Sequence, residues 1–167
     1  MGILMKRNHL IQSVLLAWVI SLSSVSLSAE PIDYELVDIY GENKQISDYQ
    51  GRLLFVNFWA TWCGPCIREI PDLIEFRNKF GDRIEVIGIA FEKTPVDQIR
   101  DFAEELKINY PVLLIGDEPL VPMEPLKGLP STFVLSSTGE LLKTHIGPVT
   151  ANQLERWLLA LDAQVEN

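Results

Sequence analysis

Apolar positions along this chain change period several times, and each change marks the boundary of an element. Leu53-Leu54-Phe55-Val56-Asn57-Phe58-Trp59-Ala60 is a nearly unbroken apolar and aromatic run without helical spacing, as a strand buried on both faces requires. After Pro65 the spacing shifts to three and four residues through Ile67, Ile70, Leu73, Ile74, Phe76 and Phe80, and Gly81 stops it. That pattern predicts an amphipathic helix, with a kink at Pro71. Residues 84–91 are again continuously apolar, a second buried strand, and Thr94-Pro95 opens a helix with Pro at its first position and Ile99, Phe102, Ala103 and Leu106 on one face. A short strand at 112–115 follows. Residues 131–136 and 140–146 flank the turn Ser137-Thr138-Gly139 as an antiparallel hairpin. A last helix over about 150–161 buries Leu154, Trp157, Leu158 and Leu161. Ahead of all this, residues 34–39 alternate, Gly41 punctuates, and 44–46 can pair back as a small hairpin.

Strands that alternate with helices imply a parallel core with right-handed crossovers, to which the final hairpin adds antiparallel strands, giving a mixed α/β sandwich. In such sheets active groups gather at the carboxyl ends of the strands. The first residues read differently. Lys6 and Arg7 precede an apolar run over 10–20 and a Ser-rich stretch ending at Ala29, the order of a signal peptide. Cleavage after Ala29 would leave residues 30–167 as the exported domain, although Leu27 is larger than such sites prefer. An uncleaved N-terminal membrane anchor is the competing reading, and either one places the domain in the periplasm or another extracytoplasmic space.

Composition narrows the possibilities. A chain of 167 residues leaves room for one domain, and 47% hydrophobic with 22% charged residues excludes a disordered or fibrous protein. With 14 basic against 23 acidic residues the net charge is −9, a sign that repels phosphate backbones and excludes nucleic acid as an expected partner.

Cys63 and Cys66 are the only two cysteines, and they form one Cys-x-x-Cys at the end of the first buried strand. A thiolate is the nucleophile in disulfide chemistry. It is favoured at a helix N-terminus, where unpaired N–H groups and the helix dipole stabilise negative charge. Gly64 permits the turn, Pro65 presets a helical φ, and Cys66 lies about one turn on, so a disulfide can close. Half of a zinc site is an alternative, but it needs two further ligands, and beyond the leader only His145 is on offer. A structural disulfide is another, but so short a loop confers little stability.

Phe58-Trp59-Ala60-Thr61-Trp62-Cys63-Gly64-Pro65-Cys66, followed by Pro71, closely resembles the thioredoxin active-site segment, and Gly128-Leu129-Pro130-Ser131-Thr132-Phe133 resembles its second signature. With the leader and the acidic residue of Cys66-Ile67-Arg68-Glu69, the chain is most similar to TlpA/ResA-like exported members of the thioredoxin superfamily. The resemblance implies a thioredoxin-like three-layer sandwich with a mixed central sheet and an N-terminal hairpin extension. It implies a protein disulfide reductase without cofactor or metal, service in cytochrome c maturation with apocytochrome c as a substrate, and a membrane electron donor of DsbD/CcdA type; a monomer is the default expectation. Pro130 would be cis and lie beside the cysteines, and Leu129 would offer its backbone to a substrate segment. Trp62 either shields the sulfurs and meets partners or covers the edge of the core.

Two departures stand out. Cytoplasmic-type thioredoxins carry a buried Asp where this chain has Asn57, which cannot exchange a proton. Glu69, three residues after Cys66, is the candidate to take the Cys66 proton, the competing reading being an acid that merely complements the helix dipole. Pro119, Pro122 and Pro125 forbid a regular helix in a stretch often helical in relatives. Gly64-Pro65 resembles the reducing end of the family; an oxidase or isomerase is the alternative, and a non-enzymatic metal-handling or docking module is a third reading. Peroxide turnover, which needs Thr-x-x-Cys, is not expected, because Thr61 stands two residues before Cys63. His145 reads as half-exposed structure, and Arg68 and Lys143 as solvated charges.

Overall fold

The computed structural model describes residues 31–165. The expected signal peptide or anchor, residues 1–29, lies outside the described residues. The chain begins with a hairpin of β1 (Glu35–Val37) and β2 (Asn43–Gln45), paired antiparallel, and a 3-10 turn at Ile46–Tyr49. The predicted return strand therefore stops at Gln45, and Ile46 is buried in the turn instead.

β3 (Leu53–Trp59) is the centre of the main sheet. It is followed by α1 (Gly64–Phe80), β4 (Ile84–Ala90), α2 (Val96–Glu105), β5 (Val112–Leu114), β6 (Ser131–Leu135), β7 (Leu141–Ile146) and α3 (Ala151–Val165). The strand order is β5-β4-β3-β6-β7, with β3, β4 and β5 parallel and β6 and β7 antiparallel to their neighbours. This is the thioredoxin-like fold with an added N-terminal hairpin. Pro95 proves to be the N-cap of α2 rather than its first residue, and α1 runs without a break through Pro71.

Side chains of successive strand residues point to opposite faces, so β3 divides its apolar run between two cores. Leu54, Val56 and Phe58 pack with Ile87, Ile89, Phe133 and the hairpin residues Leu36 and Ile46. Phe55 turns the other way, onto Leu73, Phe76, Leu154 and Leu158, and Trp59 packs with Ile70, Ile99 and Ala103. All three helices thus cover one face: two successive crossovers stepping in the same direction along the sheet put α1 and α2 there, and α3 joins them by packing on Phe55. The opposite layer is the hairpin together with the stretch between β5 and β6. That stretch contains no helix, as its prolines require, and it buries Leu120 and Met123 against the sheet. No helix among the described residues is long and apolar enough to cross a membrane.

Asn57 lies on the helix-facing side of β3, opposite Gly88 of β4 and Thr132 of β6. A polar residue in the middle of a buried strand is costly unless its bonds are met.

Candidate active site at the start of the first long helix

β3 ends one turn before Cys63, which is the N-cap of α1, with extended backbone (φ −88°, ψ 97°). Its sulfur accepts a hydrogen bond from the Cys66 N–H at 3.3 Å, so it occupies the place a Ser or Asp side chain takes at other helix starts. Cys63 and Cys66 are joined as a disulfide with their Cα atoms 5.2 Å apart. Cys63 retains 6% exposure and Cys66 none. Any reaction with an outside molecule must begin at Cys63.

The loop that delivers Cys63 is pinned from β4's exit. The Thr61 N–H and hydroxyl donate to Glu92 at 2.6 and 2.9 Å, and the Thr94 hydroxyl donates to the same carboxylate. Trp62, next along, is 68% exposed and covers no core. It borders a groove of about 560 Å3 whose other walls are Cys63, Gly64 and Pro65 on one side and Phe91, Leu126, Lys127, Gly128 and Leu129 on the other. Leu129 also packs against the cluster that holds both cysteines. Pro130 is buried and follows a cis peptide bond, and its carbonyl accepts from the Gly147 N–H.

Behind the sulfurs the sheet presents a polar cluster. Glu69 is on the same face of α1 as Cys66, one turn on, and is 2% exposed. Its Oε1 accepts from Asn57 Nδ2 at 2.8 Å and its Oε2 from the Val149 N–H at 2.7 Å. The same Asn57 nitrogen donates to Thr132 Oγ1 at 3.1 Å. Burial pushes the Glu69 carboxyl up to about 7, against the two donated bonds, which pull it down, and with a smaller upward push from Asp72. A carboxyl poised there exchanges protons at neutral pH.

Arg68 is exposed, with its guanidinium beside Gly64. His145 is half-buried on β7 against the Trp157 ring. Lys143 is more than a solvated charge, since its ammonium lies 4.9 Å above the Trp157 ring. Trp59 is wholly buried and stacked on Phe102. Among the described residues no three His, Cys, Asp or Glu side chains converge as metal ligands. Glu92, Val149 and the wall residues 126 and 127 were not legible as site residues, because each reaches the site from another element and none carries a local motif; Thr132 lies in the second signature, but its bond to Asn57 is a contact between strands that the signature does not reveal.

The model of the AhpC/TSA family matches residues 28–143. Thiol-disulfide oxidoreductase ResA of Geobacillus kaustophilus is 30% identical over 139 residues, 81% of this chain and 78% of that one. Thioredoxin-like protein YneN of Bacillus subtilis is 28% identical over 75% of each chain. Among solved structures, StoA from Bacillus subtilis superposes with a TM-score of 0.66 at 28% identity, over 78% of this chain and 99% of its own. A DsbF homologue from Corynebacterium diphtheriae gives 0.69 at 26% identity, over 78% and 85%.

Proposed function

The chain belongs to the AhpC/TSA family and is a thiol-disulfide oxidoreductase of thioredoxin-like type, and from that premise we propose that it works as an exported reductant of protein disulfides. The single observation behind the mechanism is the position of Cys63, whose sulfur caps α1 and is the more exposed of the pair. In the reduced protein the helix N-terminus favours the Cys63 thiolate. That thiolate attacks one sulfur of a partner disulfide, and the partner's other sulfur leaves as a thiolate. Cys66 then gives its proton to the Glu69 carboxylate and attacks Cys63. The bond between Cys63 and the partner breaks, the Cys63–Cys66 bond forms, and the partner's second thiolate is released. Two electrons have moved from the cysteine pair to the partner.

The groove beside the sulfurs suits an extended segment, with Trp62 and Leu129 as contact residues and Pro130 shaping the wall. The Thr61 hydroxyl donates to Glu92, which fixes the turn that precedes Cys63. Residues 1–29 serve as the export signal or anchor, 30–167 form the working domain, and a membrane thiol shuttle of DsbD/CcdA type resupplies electrons. The family resemblance brings apocytochrome c forward as a substrate.

The test is reduction of insulin and apocytochrome c disulfides by the reduced protein. Wild type turns both over, Cys63→Ser turns over neither, and Cys66→Ser accumulates a mixed disulfide through Cys63. A wild-type protein that leaves both disulfides intact overturns the proposal.

A further inference from the structure

Asn57 is wholly buried, and it sits in β3 between Val56 and Phe58, where an apolar residue would be the expected choice. Both hydrogens of its Nδ2 are used, one on Glu69 and one on Thr132, while its Oδ1 has no hydrogen-bond partner among the described residues. An unmet buried acceptor is unfavourable, so stability alone does not explain this side chain. What it does supply is a donor with no proton to lose, aimed at a carboxylate. An Asp in its place would compete with Glu69 for the same proton.

We propose that Asn57 is a positioning residue of the exchange reaction: anchored on Thr132, its amide holds the Glu69 carboxylate in place behind Cys66 and favours the charged form that receives the Cys66 proton. This rests on the reading of Glu69 as proton acceptor. The other groups facing Glu69 are Asp72 on α1, which opposes its charge, the Val149 N–H ahead of α3, and the phenol of Tyr110 ahead of β5, whose own ionisation is disfavoured first by burial and then by Glu69. None of these is a side-chain donor to Glu69 Oε1. Asn57 is the one that is.

The experiment follows the Glu69 carboxyl by carbon NMR through a pH titration, alongside the pH profile for release of a mixed disulfide from Cys63. In wild type the carboxyl midpoint is expected near 7, and the release profile is expected to rise with it. Asn57→Ala removes a bond to the charged form, so both midpoints move up by about one unit, a tenfold gain in proton affinity, and the rate lost at pH 7 returns at higher pH. Asn57→Asp sets two carboxyls at hydrogen-bond distance, and the single titration splits into two steps. Thr132→Val, which keeps the shape and deletes the anchor, moves the midpoint in the same direction by less, and it carries the test if Asn57→Ala does not fold. In a Glu69→Gln background Asn57→Ala leaves the profile where it is. An unmoved Glu69 midpoint in a folded Asn57→Ala or Thr132→Val protein, together with an impaired Glu69→Gln, overturns the role of Asn57 alone. A Glu69→Gln protein with the wild-type rate and profile overturns the reading beneath it.

Discussion

Cys63 and Glu69 owe their chemistry to opposite environments. The first stands at the mouth of a helix with donors pointing at it, and the second lies where water has been removed. For Glu69 the consequence for stability has a definite sign. Its folded-state carboxyl titrates near 7 against 4.5 in its ordinary environment, so between those values the folded protein binds the proton more tightly than the unfolded one. Stability therefore falls as pH rises through that window, by about 3 kcal/mol in total, and is flat from this cause above it. Urea denaturation of the oxidised protein at pH 4.5 and 7.5 measures the slope, and Glu69→Gln abolishes it. In turnover the sign reverses, because the reaction needs the charged form. Release of the mixed disulfide rises with pH through 7 in wild type, and Glu69→Gln slows it about 100-fold and removes that rise. The place of Cys63 at a helix start was legible in the sequence, but of the surroundings of Glu69 only its spacing from Cys66 was, since the donors on it come from 12 residues before and 80 residues after.

Among the elements, the joint of β3 and β4 with α1 holds the site still. Gly88 pairs with Asn57, and a Cβ there would stand 2.8 Å from Trp59 Nε1 and 3.2 Å from Tyr110 Cε2. Trp59 is wholly buried and stacked on Phe102, so it has no room to yield. Gly88→Ala lowers stability by about 1–3 kcal/mol through overpacking, seen as an earlier denaturation midpoint; an unchanged midpoint would mean that Trp59 is free to move. Strands and helices were read from apolar spacing with bounds close to those observed, because both periods are imposed by which side faces the core. The misplacements sit at ends: at Pro95 and Ile46, where capping and burial in a neighbouring element decide the last residue rather than the pattern, and at the end of α3, which runs four residues past Leu161 to Val165.

At the scale of the whole molecule the redox balance is the property to measure. Cys-x-x-Cys proteins span about −270 to about −120 mV, and a Gly64-Pro65 pair at the reducing end keeps its disulfide in more than nine of ten molecules at a glutathione poise of about −200 mV. Thiol trapping after equilibration reads that fraction, and a mostly reduced pair at this poise would identify an oxidant. The order of elements, the cysteine pair at a strand-to-helix junction and the lack of a helix between β5 and β6 all followed from the sequence alone. Each depends on neighbours within a few residues: periodicity, a cap, a proline. Tertiary structure alone decided that Trp62 faces solvent beside a groove, that Leu126 and Lys127 join its far wall, and that Asn57, Thr132 and Val149 meet around Glu69. Those outcomes depend on desolvation and on donors delivered by distant strands, and no local pattern encodes how much water a carboxylate will lose.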